Sequence, residues 1–400
     1  MRGRDPREPH RASTPLELLF DLCFVVAVAR AGAALEAQVE AGHTGLGVVG
    51  YLAAFFAIWW AWMNFTWFAS AFDTDDVPYR LTVLVQIGGS LVLAAGIRDL
   101  VVDADSTVAT WGYVVMRVAM VVQWLRAARS DPAHRGTAAR YAAGVLAVQV
   151  GWLVRLSLPH DWWLWTFGVL VVVELAVPAW AERRIRTTYH PRHVSERYGL
   201  FTVIVLGEAV TAAAGAVESA VDQDGHRAEL TVVAVSGLVV LFAIWWLYFD
   251  QPETRRLGSL RTALAWGYGH YAVFSSIAAV GAGLALSVAA LSGSGGEEHH
   301  LSATTAHAVL TVPVAVFLLA KLALHEHDPA ASGERVMAVA IPVTAALVLA
   351  VTWTAAAVPV TAVLVAALLA LQLAVTRGTR TAAHSGRASR AGRRPAGPAR

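Results

Sequence analysis

The sequence predicts an all-α, polytopic transmembrane bundle of about twelve helices, arranged as two parallel six-helix repeats with both termini cytoplasmic. Of its 400 residues 56% are hydrophobic and only 15% charged, a balance that excludes an ordinary soluble domain and points to a multi-pass membrane protein. Apolar runs of about 20 residues, enough to cross a bilayer core, recur along nearly the whole chain. The arginines gather in alternate gaps between those runs, which orients them.

In order, the runs fall at approximately 16–35, 46–68, 79–97, 107–125, 138–156 and 162–181, then 198–217, 230–249, 262–291, 302–324, 335–354 and 356–375. The first opens on a capping box: Thr14 as N-cap, Pro15 at the first helical position and Glu17 at the third. Ser195 is placed to cap the seventh run, and almost no loop separates the last two. With the N-terminus inside, the cytoplasmic segments collect Arg80, Arg126, Arg129, Arg183, Arg184, Arg192 and many more, while the opposite side holds only Arg98, Arg155 and Arg227. Both termini are therefore assigned to the cytoplasm.

The repeat rests on a pentapeptide. F-A-I-W-W occupies Phe56 to Trp60 in the second run and returns at Phe242 to Trp246 in the eighth. Six crossings bring the chain back to one side, so the halves are expected to be parallel copies. The divisions are a basic segment at 1–14, a first half at 15–190, a second half at 191–376 and a basic, disordered tail at 377–400 whose arginines face anionic lipid head groups. No cleavable signal peptide is expected, because the first apolar run is too long for a signal core. The 15 tryptophans fit the bilayer interface. The lone Cys23 allows no disulfide within the chain.

Ionisable residues inside lipid-length runs are costly and mark function or a partner. At about 1.5 Å per residue, Asp21 lies roughly 8 Å from the cytoplasmic end of its run, Glu174 roughly 10 Å, His270 and Arg117 roughly 12 Å and Glu208 roughly 15 Å. These five are the candidate polar core, with the carboxylates as proton carriers and His270 and Arg117 as relay or solute contacts. The competing reading is a structural ion pair of Arg117 with Asp21 or with Glu174. Glu17 reads chiefly as the helix cap and Lys321 as a snorkelling residue. His299 and His300, beside Glu297 and Glu298, read as a solvated outer loop in preference to a metal site. No Walker loop, dinucleotide fingerprint, H-E-x-x-H or nucleophile elbow occurs, which argues against an ATP-driven pump and the common hydrolases. Neither cofactor, metal, catalytic residue nor nucleic-acid partner is expected.

Two segments, L-E-L-L-F-D-L-C-F-V-V-A-V-A from Leu16 and H-V-S-E-R-Y-G-L-F-T-V-I-V-L-G-E from His193, resemble the signature segments of the bacterial low temperature requirement A family. The resemblance extends over about residues 14–375 and implies a multispanning inner-membrane protein. It points to Glu17, Phe20, Asp21, His193, Glu196, Arg197, Gly199, Phe201, Gly207 and Glu208, with Leu19 and Cys23 as mild departures. The leading functional expectation is a proton-coupled secondary transporter of a small solute. The alternative is a membrane enzyme or lipid-binding factor that adapts bilayer properties, including in the cold.

Overall fold

The computed structural model describes residues 1–4, 13–222, 226–250, 259–292, 301–324 and 332–391. The first half comprises α1 (Pro15–Glu40), α2 (Thr44–Ala71), α3 (Val77–Ala95), the short α4 (Ile97–Val102), α5 (Thr107–Ser130), α6 (Arg135–Arg155) and α7 (Trp163–Ala181). The second comprises α8 (Pro191–Asp222), α9 (Arg227–Phe249), α10 (Leu260–Ser292), α11 (Ala303–Leu324), α12 (Ser332–Ala350) and α13 (Ala357–Ala391). All but α4 contain a stretch long and apolar enough to cross a bilayer, giving 12 spans among the described residues. The chain is thus a multi-pass membrane protein, in contact with lipid on its outer surface. We call the side on which α1 and α8 begin the near face and the other the far face.

Side-chain chemistry explains the helix ends. Thr14 and Glu17 close the expected capping box, with the Thr14 amide donating to Glu17 Oε2 at 2.7 Å and the Glu17 amide to Thr14 Oγ1 at 3.2 Å. Asp76 caps α3 through the Tyr79 amide, at 2.8 Å. The sequence reading missed α4, because Gly96 ends α3 one turn before the far-face loop. A Cβ on Gly96 would strike the Ala109 amide nitrogen, so this crossing of α5 requires glycine. At the other end of the chain, α13 carries helical backbone to Ala391, into the segment whose composition predicts disorder. Its alanines and arginines are strong helix formers and favour continuing a helix already begun, against the opposing preference of Gly378 and Gly386.

Helix α1 packs against α2, α3, α4, α8 and α10, and α2 also touches α8 and α10. These contacts join the halves around an aromatic core. Phe20 lies 3.9 Å from Phe65 between ring centroids, and Trp62 stacks on Phe201 at 4.3 Å. The two F-A-I-W-W stretches meet opposite environments: Trp59 and Trp60 of α2 are buried, whereas Trp245 and Trp246 of α9 are 47% and 44% exposed on the bundle surface. Lys321 does not snorkel. It is buried on α11 and donates to Gln372 Oε1 at 3.1 Å, and Gln372 donates in turn to Asp250 at 2.6 Å.

The crossing of α3 and α5 is a direct test of this packing, because a Cβ on Gly112 would meet the Leu93 backbone nitrogen. Gly112→Ala is expected to cost about 1–3 kcal/mol, read as a lower unfolding midpoint in detergent. Gly88→Ala, on an open position of α3, should stay within about 0.5 kcal/mol of the parent.

Candidate functional site

The structure separates the five polar-core candidates into different neighbourhoods. Glu174 and Arg117 come together; Asp21, His270 and Glu208 each lie elsewhere.

Glu174 occupies the middle of α7 and is fully buried. Its Oε2 accepts from Arg117 Nη2 at 2.7 Å and Trp60 Nε1 at 2.8 Å. Its Oε1 accepts from Tyr113 Oη at 2.8 Å, and from Gln149 Nε2 and Trp152 Nε1, each at 3.2 Å. Three helices therefore converge on one carboxylate of a fourth. Tyr113 and Arg117 are four residues apart on α5, and Gln149 and Trp152 three apart on α6, so each pair presents one helix face to α7. Of the two pairings open to Arg117 in the sequence, the structure forms the one with Glu174. Arg117 lies 5.5 Å from the Tyr113 ring centroid, and its Nε and Nη1 have no hydrogen-bond partner.

Asp21 instead meets Arg197, one signature segment facing the other. Arg197 Nε and Nη2 grip its two oxygens at 2.8 and 2.5 Å, and Trp62 Nε1 donates to Oδ1 at 2.7 Å. Glu17 stands 3.5 Å from both Arg197 and His193, so the cap residue also belongs to this cluster. Glu196 accepts from the Ser13 amide and hydroxyl at 3.4 and 3.5 Å. Phe20 and Phe201 supply the aromatic floor; a Cβ on Gly199 would meet the Phe249 ring, and one on Gly207 would face open space. The two segments that carry the resemblance thus form one interface between the first and second halves of the chain.

His270 sits among Tyr198, Tyr248, Trp266 and Phe274. Its Nδ1 is 2.8 Å from the Trp266 carbonyl oxygen, which can only accept, so Nδ1 carries a proton; in the neutral ring Nε2 then accepts from Tyr248 Oη, at 3.1 Å. Glu208 is half-buried on α8, within electrostatic reach of Glu36 on α1. The cluster of Glu297, Glu298, His299 and His300 lies outside the described residues.

Small cavities flank the Glu174 cluster on both sides. The near one, about 30 Å³, is lined by Trp60, Asn64, Trp67, Tyr141 and Glu182. The far one, also about 30 Å³, is lined by Tyr113, Thr110, Trp152, Arg155 and Phe167. Trp60 belongs to the near cavity, and Tyr113 and Trp152 to the far one, and all three donate to Glu174. Each space has room for about two waters. Beyond the far cavity, Ser106 and Arg155 also line a wider polar recess of about 190 Å³ at the far face. The spacing of polar side chains on α5 and α6 was the available signal for Tyr113, Gln149 and Trp152, which the sequence reading missed.

A family model described as bacterial low temperature requirement A protein (LtrA) matches residues 12–376. The chain is also 29% identical over 256 residues to an uncharacterized protein of Rhizobium meliloti (strain 1021), an alignment covering 61% of this chain and 60% of that protein's length.

Two outcomes check the site's electrostatics. Arg197→Gln leaves the Asp21 carboxylate buried without its cation and is expected to cost about 3–5 kcal/mol. In a double-mutant cycle by denaturant unfolding, Asp21→Asn combined with Arg197→Gln should cost clearly less than the two single changes added together. At the near cavity, burial pushes the Glu182 carboxyl above its ordinary value of 4.5, opposed by hydrogen bonds from Thr187 and Tyr141. Its contribution to stability is present below that ordinary value and lost as pH rises through the higher folded one. Glu182→Gln should therefore remove a fall in stability on the alkaline side of pH 4.5, measured by unfolding midpoints across a pH series.

Proposed function

The chain belongs to the bacterial low temperature requirement A family, and we propose that it is a secondary transporter moving a small solute in exchange for, or together with, protons. One observation carries this reading: the Glu174–Arg117 pair is buried between two cavities, and its own hydrogen-bond donors line both of them. A buried charged pair closing the space between two small, mainly apolar cavities is the arrangement an occluding gate requires. Protonating Glu174 removes its charge and loosens Arg117, so proton binding and gate opening draw on the same bond.

In this reading Glu174 is the coupling carboxylate and Arg117 its release partner. The Asp21–Arg197 pair joins α1 to α8 and would register movement of one half against the other. Glu208 and His270 are further proton carriers on the second half. The near face is cytoplasmic, its arginines meet anionic head groups, and the membrane is the bacterial inner membrane. The recurring F-A-I-W-W supports descent of the halves from one duplicated unit.

The test is solute-evoked proton flux in proteoliposomes carrying a trapped pH-sensitive dye, across panels of amino acids, organic acids and sugars. One class should evoke flux with the parent protein, and Glu174→Gln should reduce it at least tenfold while the protein stays monodisperse. Absence of solute-evoked flux throughout, or undiminished flux in Glu174→Gln, would overturn the proposal.

A further inference from the structure

Arg155 closes α6 at the far face, 6% exposed, with its guanidinium 5.3 to 5.8 Å from the ring centroids of Trp152, Trp163 and Phe167. It makes one hydrogen bond, from Nη1 to Ser106 Oγ at 2.8 Å. Its Nε and Nη2 are buried without a partner, as is the indole nitrogen of Trp163. Both residues line the polar recess of about 190 Å³. Three buried donors with no acceptor beside a cavity of that size call for a ligand that brings oxygen atoms.

The same protein shows what this edge of an arginine binds. Arg197 uses Nε and Nη2 to hold both oxygens of Asp21, and Arg80 uses the same two nitrogens on Asp75, at 2.8 and 2.6 Å. In Arg155 that fork is left without an acceptor, and its shape matches a planar carboxylate in a bidentate grip. The recess rim adds selection. Asp103 and Asp105 are exposed on it, and Asp105 is engaged by the Thr107 amide at 2.8 Å. Two negative charges at the mouth disfavour polyanions and favour a carboxylate whose own molecule also carries a positive group.

We propose that Arg155, Ser106 and Trp163 form a binding site for a compact carboxylate-bearing solute, preferentially a zwitterion. Nε and Nη2 hold the carboxylate, Trp163 donates a further hydrogen bond, and the cationic end of the solute faces Asp103 and Asp105. Binding here stands by itself; its role as the outer station of a transport route rests on the transporter reading.

The experiment is thermal unfolding of the full-length protein in lipid nanodiscs, titrated with glycine, acetate or sulfate at constant ionic strength. Glycine and acetate are expected to raise the midpoint saturably, with glycine the tighter of the two and sulfate without effect. Arg155→Lys keeps a cation but lacks the fork, and should weaken glycine binding at least tenfold. Should that variant fail to fold, Trp163→Phe, which removes the indole donor while keeping an aromatic ring, carries the test through a loss of about threefold or more. Asp103→Asn with Asp105→Asn should narrow the gap between glycine and acetate. Glu174→Gln separates the two proposals: retained glycine binding with lost flux supports both. Retained binding in a parent that shows no flux removes the transporter reading alone. No saturable shift with glycine or acetate would mean that water alone meets these donors, and would overturn the site. So would sulfate binding as tightly as acetate, or an unaltered response in Arg155→Lys.

Discussion

A carboxylate held in the apolar interior of a membrane protein must be supplied with donors by its neighbours, and this requirement organises the bundle. Removing an ion from water costs several kcal/mol even after relaxation, while a hydrogen bond to a charged group returns about 1.5–3 kcal/mol. Asp21, with a two-pronged grip from Arg197 and a third bond from Trp62, and Glu174, with five donors, each reach the number needed to offset that cost. The partners come from different helices, so satisfying one charge fixes the relative position of several spans. Glu174 binds α2, α5 and α6 to α7, and Asp21 binds α1 to α2 and α8.

Tryptophan serves this scheme in a way that its interfacial preference does not anticipate. Trp59, Trp60, Trp62 and Trp266 are among the largest fully buried side chains. Indole combines a wide apolar ring with a single donor and no acceptor to satisfy, which suits a core built around carboxylates. Trp60, Trp62 and Trp152 each direct that donor at an acid, and Trp67 directs its own at Tyr198 Oη at 3.0 Å. Other indoles, such as those of Trp165 and Trp353, lie exposed near helix ends, where an amphipathic ring meets the bilayer surface.

The halves use their charges differently. The first encloses a charged pair between cavities and places a second arginine beside an open recess, so its polar groups lie along the direction of the spans. The second contributes Arg197 and His193 to the shared interface and packs His270 into an aromatic cage. The F-A-I-W-W stretch follows the same division, since its α2 copy faces the Glu174 and Tyr268 side chains while much of its α9 copy faces outward. Identical segments have thus been put to separate uses by their surroundings.

Much of the architecture was legible in the chain itself. Span number, the α1 cap at Thr14 and Glu17, and the family signature follow from apolar length, local hydrogen bonding and motif identity, all properties of contiguous residues. The candidate acids could also be named, because a charge in a lipid-length run stands out without reference to any partner. Pairing could not be: Asp21 and Arg197 are separated by most of the first half, and the sequence offered Arg117 equally to Asp21 and Glu174. Nor could Arg155 be distinguished from an ordinary loop arginine, since its unengaged fork depends on three aromatic rings and a serine contributed by separate segments. Periodicity and composition report on neighbours along the chain, whereas the partner of a buried charge is set by which helix faces meet across the bundle.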